Sequence, residues 1–139
     1  MLFSFEVPGE PTAKGRPRFS RNGKFVKAYT PQKTINYENL VKLSFMQQIG
    51  SPEPMHNEVK ATINAYFGIP ASTSKKKYEQ MIDGSLQPSK KPDCDNIAKI
   101  ILDALNGIAY DDDKQITCLV VNKFYSQRPC VMVALEELD

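Results

Sequence analysis

A chain of 139 residues is long enough for one hydrophobic core and too short for two ordinary domains, so a single domain spanning residues 1–139 is expected. Apolar residues make up 41% and charged residues 24%, close to the soluble globular average, and no apolar run approaches the roughly 18 residues of a membrane span. The net charge of +2 is small but unevenly spread: from Glu10 to Lys33 the only acid faces Lys14, Arg16, Arg18, Arg21, Lys24, Lys27 and Lys33. From Asp93 onward the balance reverses, with Asp93, Asp95, Asp103, Asp111, Asp112, Asp113, Glu136, Glu137 and Asp139 against Lys99, Lys114, Lys123 and Arg128. One stretch suits a polyanion and the other a cation.

Strict alternation puts Phe3, Phe5 and Val7 on one face of an opening strand that ends at Pro8-Gly9. The opening segment MLFSFEVPGEP has no basic n-region and no small-residue cleavage site, which points to a cytoplasmic protein. GRPRFSRNGKF, with Pro17 and an Asn22-Gly23 turn signal, predicts an extended arm or hairpin. Thr30-Pro31 predicts a helix start, with threonine as the cap, an apolar stripe of Tyr37, Leu40, Val41 and Phe45, and a stop near Gly50. Residues 58–67 alternate again and predict a second strand, followed by a short lysine-rich helix from Ser74 to about Ile82.

Beyond a polar loop, Ile97, Ile100, Ile101, Ala104 and Leu105 recur at helical spacing, and Asn106-Gly107 supplies a stop. The polar face of that helix carries Asp95, Asn96, Lys99 and Asp103, with Asp93 and Asp95 at its entrance. Finally ITCLVVNKFY and CVMVALEEL, rich in β-branched residues and separated by Ser126 to Pro129, predict an antiparallel hairpin. The fold class expected is α+β, a mixed or antiparallel sheet of about four to five strands against two to three helices. No internal repeat is present.

The acidic segment carries the chemistry. A helix from Asp95 to Asn106 is roughly 16 Å long, and an extended return from Gly107 to Asp113 covers about 20 Å. That reach allows Asp112 and Asp113 to come back toward Asp93 and Asp95. Like charges so gathered repel unless a proton or cation intervenes. Hard oxygen ligands without histidine or thiolate nearby favour magnesium, or manganese, over zinc or copper. Such a site can polarise a phosphodiester and activate water, with Lys99 stabilising developing charge. The plainer alternative makes Asp95 a helix cap paired with Lys99 and the Asp111–Asp113 run a solvated turn; it accounts for each aspartate singly more easily than for all together.

KPDCDNIAKIILDALNGIAYDDDKQI resembles the motif of the RusA family of Holliday junction resolvases: an Asp-x-Asp-Asn, a Lys, an Asp-Ala-Leu and an Asp-Asp-x-Gln. KGRPRFSRNGKFVKAYTPQKTINYE resembles the basic arm and the Tyr-x-Pro and Thr-x-x-Tyr-Glu elements of many phage and Gram-positive members. The resemblance implies a RusA-like fold with catalytic, metal-binding carboxylates at Asp93, Asp95 and Asp113, an important lysine at Lys99, and Asp112 as a neighbouring acid. Asp111 lies outside the pattern. It further implies a magnesium-dependent homodimer, without organic cofactor, that nicks two opposing strands of a four-way DNA junction in recombination and repair.

Phosphate contacts are expected from Lys14, Arg16, Arg18, Arg21, Lys24 and Lys27, with Lys75, Lys76, Lys77, Lys90 and Lys91 as a second candidate surface. Cys94, Cys118 and Cys130, odd in number and without CxxC spacing, read as structural cysteines of a reducing compartment. His56, the only histidine, reads as a non-catalytic loop residue, and Tyr110 either packs or stacks on DNA. Two rival functions remain: a non-catalytic DNA-binding or regulatory protein, and a metal-dependent nucleotide transferase, for which no glycine-rich phosphate loop is present.

Overall fold

The computed structural model describes residues 1–138 and is an α+β domain of three helices and six strands. Four strands form one mixed sheet in the order β1 (Leu2–Pro8), β6 (Cys130–Glu137), β4 (Val59–Gly68), β5 (Ile116–Ser126). β2 (Arg18–Asn22) and β3 (Phe25–Tyr29) pair only with each other, as a separate antiparallel hairpin. The helices are α1 (Gln32–Gln48), α2 (Lys75–Asp83) and α3 (Cys94–Ala104).

Period-two alternation buries one face of the sheet. Phe3, Phe5 and Val7 of β1, Val59, Ala61, Ile63 and Ala65 of β4, and Val131, Val133 and Leu135 of β6 meet α1 and α3 in a single core. Phe45 of α1 sits edge-on to both Phe3 and Phe5, with centroids 5.4 and 5.3 Å apart and planes at 84°. Each such contact contributes about 0.5–1.5 kcal/mol beyond area burial. From α3, Ile97, Ile100, Ile101, Ala104 and Leu105 are all buried, as their spacing requires.

The C-terminal strands depart from the sequence expectation. β5 and β6 are not hairpin neighbours, because β4 lies between them. β4 pairs parallel with β5, Val59↔Ile116 to Gly68↔Ser126, and antiparallel with β6, Val59↔Glu137 to Tyr66↔Cys130. Ser126 to Pro129 therefore carries the chain across the end of β4. The reason lies in β4, whose inward positions are fully buried; at the rim it would expose them, whereas β5, which has no fully buried residue, lies at the edge.

Two local expectations also shift. Pro31, not Thr30, is the cap of α1: its carbonyl accepts from Thr34 N (3.0 Å) and Ile35 N (3.2 Å), and no side chain caps the helix. Thr30 still belongs to the arm, and proline's fixed φ, here −55°, suits the first bend into the helix. In the hairpin, Asn22 pairs with Phe25, so the two-residue loop is Gly23-Lys24, with Gly23 at φ 63°. α2 starts after Ser74, whose hydroxyl accepts from Lys77 N, as expected.

Candidate active site

Asp93 is the N-cap of α3. Its Oδ1 accepts from Asn96 N at 3.1 Å, satisfying one of the amides that a helix start leaves unpaired. Capping thus falls to Asp93, and Asp95 stands exposed in the first turn, where the helix dipole favours negative charge. Lys99 pairs forward with Asp103 (3.7 Å) rather than back with Asp95.

Asp103 is the hinge of a small ion-pair cluster. Lys14 Nζ lies 3.3 Å from Asp103 and 3.0 Å from Glu38 of α1. Burial pulls the Lys14 ammonium down, but the hydrogen bond to Glu38 and the charge of Asp103 outweigh it and hold the pKa above the ordinary value. Lys14 is thus placed as a clamp at the root of the basic arm. Lys14 N also donates to Asn96 O (3.3 Å), and Gly15 N donates to Thr34 Oγ1 (2.9 Å). A Cβ at Gly15 would meet that oxygen at 2.6 Å, so the close crossing of arm and helix requires glycine. The arm leaves the domain beside the mouth of α3, and Arg16 shares a cleft with Lys91, Pro92, Asp93 and Asn96.

The second acidic segment is built as firmly. Gly107, at φ 76°, turns the chain after α3. Met55, fully buried, then holds the return through Met55 N→Ala109 O and Asp111 N→Met55 O, while the buried Tyr110 hydroxyl donates to Leu102 O. Tyr110 therefore packs in the core and is not a stacking platform. Burial, with Asp113, Asp103 and Asp112 adding to it, pushes its phenol above the ordinary value. Asp112 caps a 3-10 turn, Asp113–Gln115, accepting from Lys114 N, while Gln115 Oε1 accepts from Asp112 N (2.8 Å). The Gln115 amide donates in turn to Met55 O and Asn57 O. The glutamine of the Asp-Asp-x-Gln motif is a tie that fixes the acids, a role readable from the capping-box spacing.

Asp113 is held above the usual carboxylate range, first by the neighbouring Asp112 carboxyl, then by burial and the charge of Asp103, with Lys99 acting against them. The Lys114 amide, followed by Asp113, holds Asp112 below that range. Asp113 is thus electrostatically coupled to Lys99 and Asp103, one and two turns along α3 from Asp95. Among the described residues no three His, Cys, Asp or Glu side chains form a group that could hold a metal ion. The structure brings together Asp112 with Asp113, and Lys14, Lys99 and Asp103; it does not join Asp93, Asp95 and Asp113 into one such group.

Asp111 has a different partner. His56 Nδ1 lies 2.6 Å from Asp111 Oδ2 and its Nε2 3.1 Å from Glu53, which raises the His56 pKa to about 9, the Asp111 bond contributing most. Sequence reasoning missed this clamp, since a lone histidine in a loop gives no signal of a partner 55 residues away. Cys94 is half-buried, with Sγ 4.0 Å from Val121 O, and packs against β5.

Of the cations, Arg16, Arg18, Arg21, Lys24 and Lys27 are all exposed on the arm. Lys90 lies over the rings of Phe67 (5.8 Å) and Tyr125 (5.7 Å), and Lys75, Lys76 and Lys77 are all exposed in the first turn of α2.

The family model of Endodeoxyribonuclease RusA matches residues 8–136, so the chain belongs to the RusA endodeoxyribonuclease family. It is also similar to a protein of Bacillus subtilis (strain 168) described as uncharacterized protein YqaN, at 43% identity over 139 residues, covering 97% of this chain and 96% of that one. Among the described residues, no helix is long and apolar enough to cross a membrane.

Proposed function

We propose that this protein is a structure-selective endonuclease that resolves four-way DNA junctions by paired, magnesium-dependent phosphodiester hydrolysis in recombination and repair, acting in the cytoplasm as a homodimer. The observation that carries the reading is the meeting of opposite charges at one place: the basic arm is tied by Lys14 N to Asn96 O at the mouth of α3, which presents Asp93 and Asp95, and by Gly15 N to Thr34 of α1. A phosphate backbone lying on Arg16 and Lys91 is thereby brought against the Asp93 carboxylate of the same cleft.

The donor set suits a hard divalent cation. The raised carboxyl of Asp113 marks an excess of negative charge at the Asp112–Asp113 pair, which a cation would relieve. Asp93, Asp95 and Asp113 would hold magnesium or manganese, with Asp112 beside them; bound, the ion supplies Lewis acidity toward the phosphodiester and an activated water. The chain's own residues do the rest. Lys99, 61% exposed, offers positive charge toward a phosphate, and Asp103, itself held by Lys14, orients it. Arg16 and the arm cations hold the strand in place.

Chemistry and the sheet edge both support a dimer. Two opposed incisions need two acidic sites, and one chain supplies one set. β5 is an edge strand of 11 residues with a single charge, Lys123, and with Cys118, Leu119 and Val120 exposed, the kind of edge that a second copy covers. Light scattering at assay concentration is expected to give a dimer; a monomer that still cuts both strands would contradict it.

The non-catalytic reading is favoured by one observation, the lack of a preassembled three-ligand group among the described residues. Cleavage assays on a synthetic four-way junction, a linear duplex and a flap, in magnesium or EDTA, separate the two. Paired nicks in the junction only with magnesium are expected. Binding without cleavage would favour the rival, and preference for flaps would remove the resolvase label.

A further inference from the structure

The β2–β3 hairpin carries something its cations do not explain. Every residue of both strands is exposed, and among them are Phe25 at 80%, Phe19 at 69%, Val26 at 64% and Tyr29 at 46%. Register assigns these to two faces. Asn22↔Phe25, Ser20↔Lys27 and Arg18↔Tyr29 share one; Arg21↔Val26 and Phe19↔Ala28 share the other. On the first face, Phe25, Lys27 and Tyr29 follow one another at about 6.6 Å intervals, so ring, cation and ring alternate, with Arg18 across from Tyr29.

A ring kept in water costs solubility and gains no core packing, and this arm joins neither the main sheet nor the hydrophobic core. Its charge selects the occupant. No acid occurs between Glu10 and Glu38, and cations flank each ring, which suits a polyanion that also offers flat apolar surfaces. Nucleic acid meets both demands where its bases are unstacked; in a regular duplex the base faces are hidden and only phosphates and groove edges remain. The root of the arm, held by Asn96 and Thr34, lies at the cleft shared by Arg16 and Asp93, so whatever the arm touches is continuous with the strand at the acids.

We propose that the arm is a stacking wedge for the branch point of a DNA junction, in which Phe25 and Tyr29 cover unpaired or unstacked bases while Arg18 and Lys27 hold the flanking phosphates. This rests on the junction-cleaving reading and adds to it the element that tells a branch from a duplex.

The test uses full-length protein in EDTA with a four-way junction carrying 2-aminopurine at the branch point, and the matching linear duplex. Wild type is expected to raise the probe's fluorescence on the junction. Phe25→Ala with Tyr29→Ala is expected to lose that rise and about tenfold in junction affinity, with duplex affinity and salt slope unchanged. Phe25→Trp should keep the junction affinity and Phe25→Leu should lose it. Because the side chains are exposed, melting temperatures should match wild type, which guards against misfolding. Wild-type fluorescence and affinity in the double variant would overturn the wedge while leaving junction cleavage standing, as would an equal loss on junction and duplex, which would make the arm a general contact. Failure of the wild type to bind any junction would remove both the wedge and the reading beneath it.

Discussion

The α3 platform and the β2–β3 arm are opposites in every physical respect. On the platform, each acidic residue stands on backbone fixed by caps, by Gln115 and by the buried Tyr110 and Met55; on the arm, ten strand residues are exposed and only the root is tied down. Chemistry demands fixed charges, so its residues sit on elements buried on their other side. Recognition of an irregular DNA shape tolerates a loosely held strand pair, provided its origin is fixed. The difference teaches that stability and binding should separate cleanly by mutation.

The largest expected contrast is in stability. Ile100→Ala, in the fully buried face of α3, should cost about 2–5 kcal/mol, whereas Val26→Ala on the arm should change stability by less than about 0.5 kcal/mol. Urea unfolding of both checks this, and a costly Val26→Ala would mean that the arm is part of the fold. Gly15→Ala comes next: the clash with Thr34 Oγ1 should destabilise by about 1–3 kcal/mol and loosen the arm's root, lowering junction affinity as well. A neutral Gly15→Ala would show that the strap is dispensable.

Arg16→Ala with Arg18→Ala should leave unfolding unchanged and reduce the salt slope of DNA binding by about two. An unchanged slope takes them off the interface. The smallest effect belongs to His56. Its folded pKa of about 9 lies above the ordinary 6.5, so the ion pairs with Asp111 and Glu53 contribute stability that is full below about pH 6.5 and is lost as pH rises through 9. Exposure and solvent screening keep that contribution small. His56→Gln should flatten this alkaline decline in urea midpoints; the same decline in the variant would assign it to another group.

Most elements were legible in sequence: β1, β4, α1 and α3 follow their apolar spacing, α2 is marked by its start at Ser74, and Gly50 and Gly107 mark chain turns by positive φ. The order of strands was not legible. A short connection between two β-rich segments suggests a hairpin, and only the complete burial of β4's inward face shows that it must lie between them. At the site, the residue types were readable, but the roles within them were not. Whether Asp93 or Asp95 caps α3 depends on one backbone bend, and Lys14 looks like any other arm cation until Glu38 and Asp103 fold beside it. The extended return from Gly107 was an upper bound on reach; Met55 and Tyr110 bend the path and couple Asp113 to Lys99 and Asp103.

Asp95→Asn removes one negative charge from an exposed position in the first turn of α3 while Asp93 keeps the cap. On a synthetic four-way junction in magnesium, the variant should bind as tightly as wild type and cleave at least about a hundredfold more slowly. Cleavage by Asp95→Asn at the wild-type rate would contradict the assignment of hydrolysis to these carboxylates.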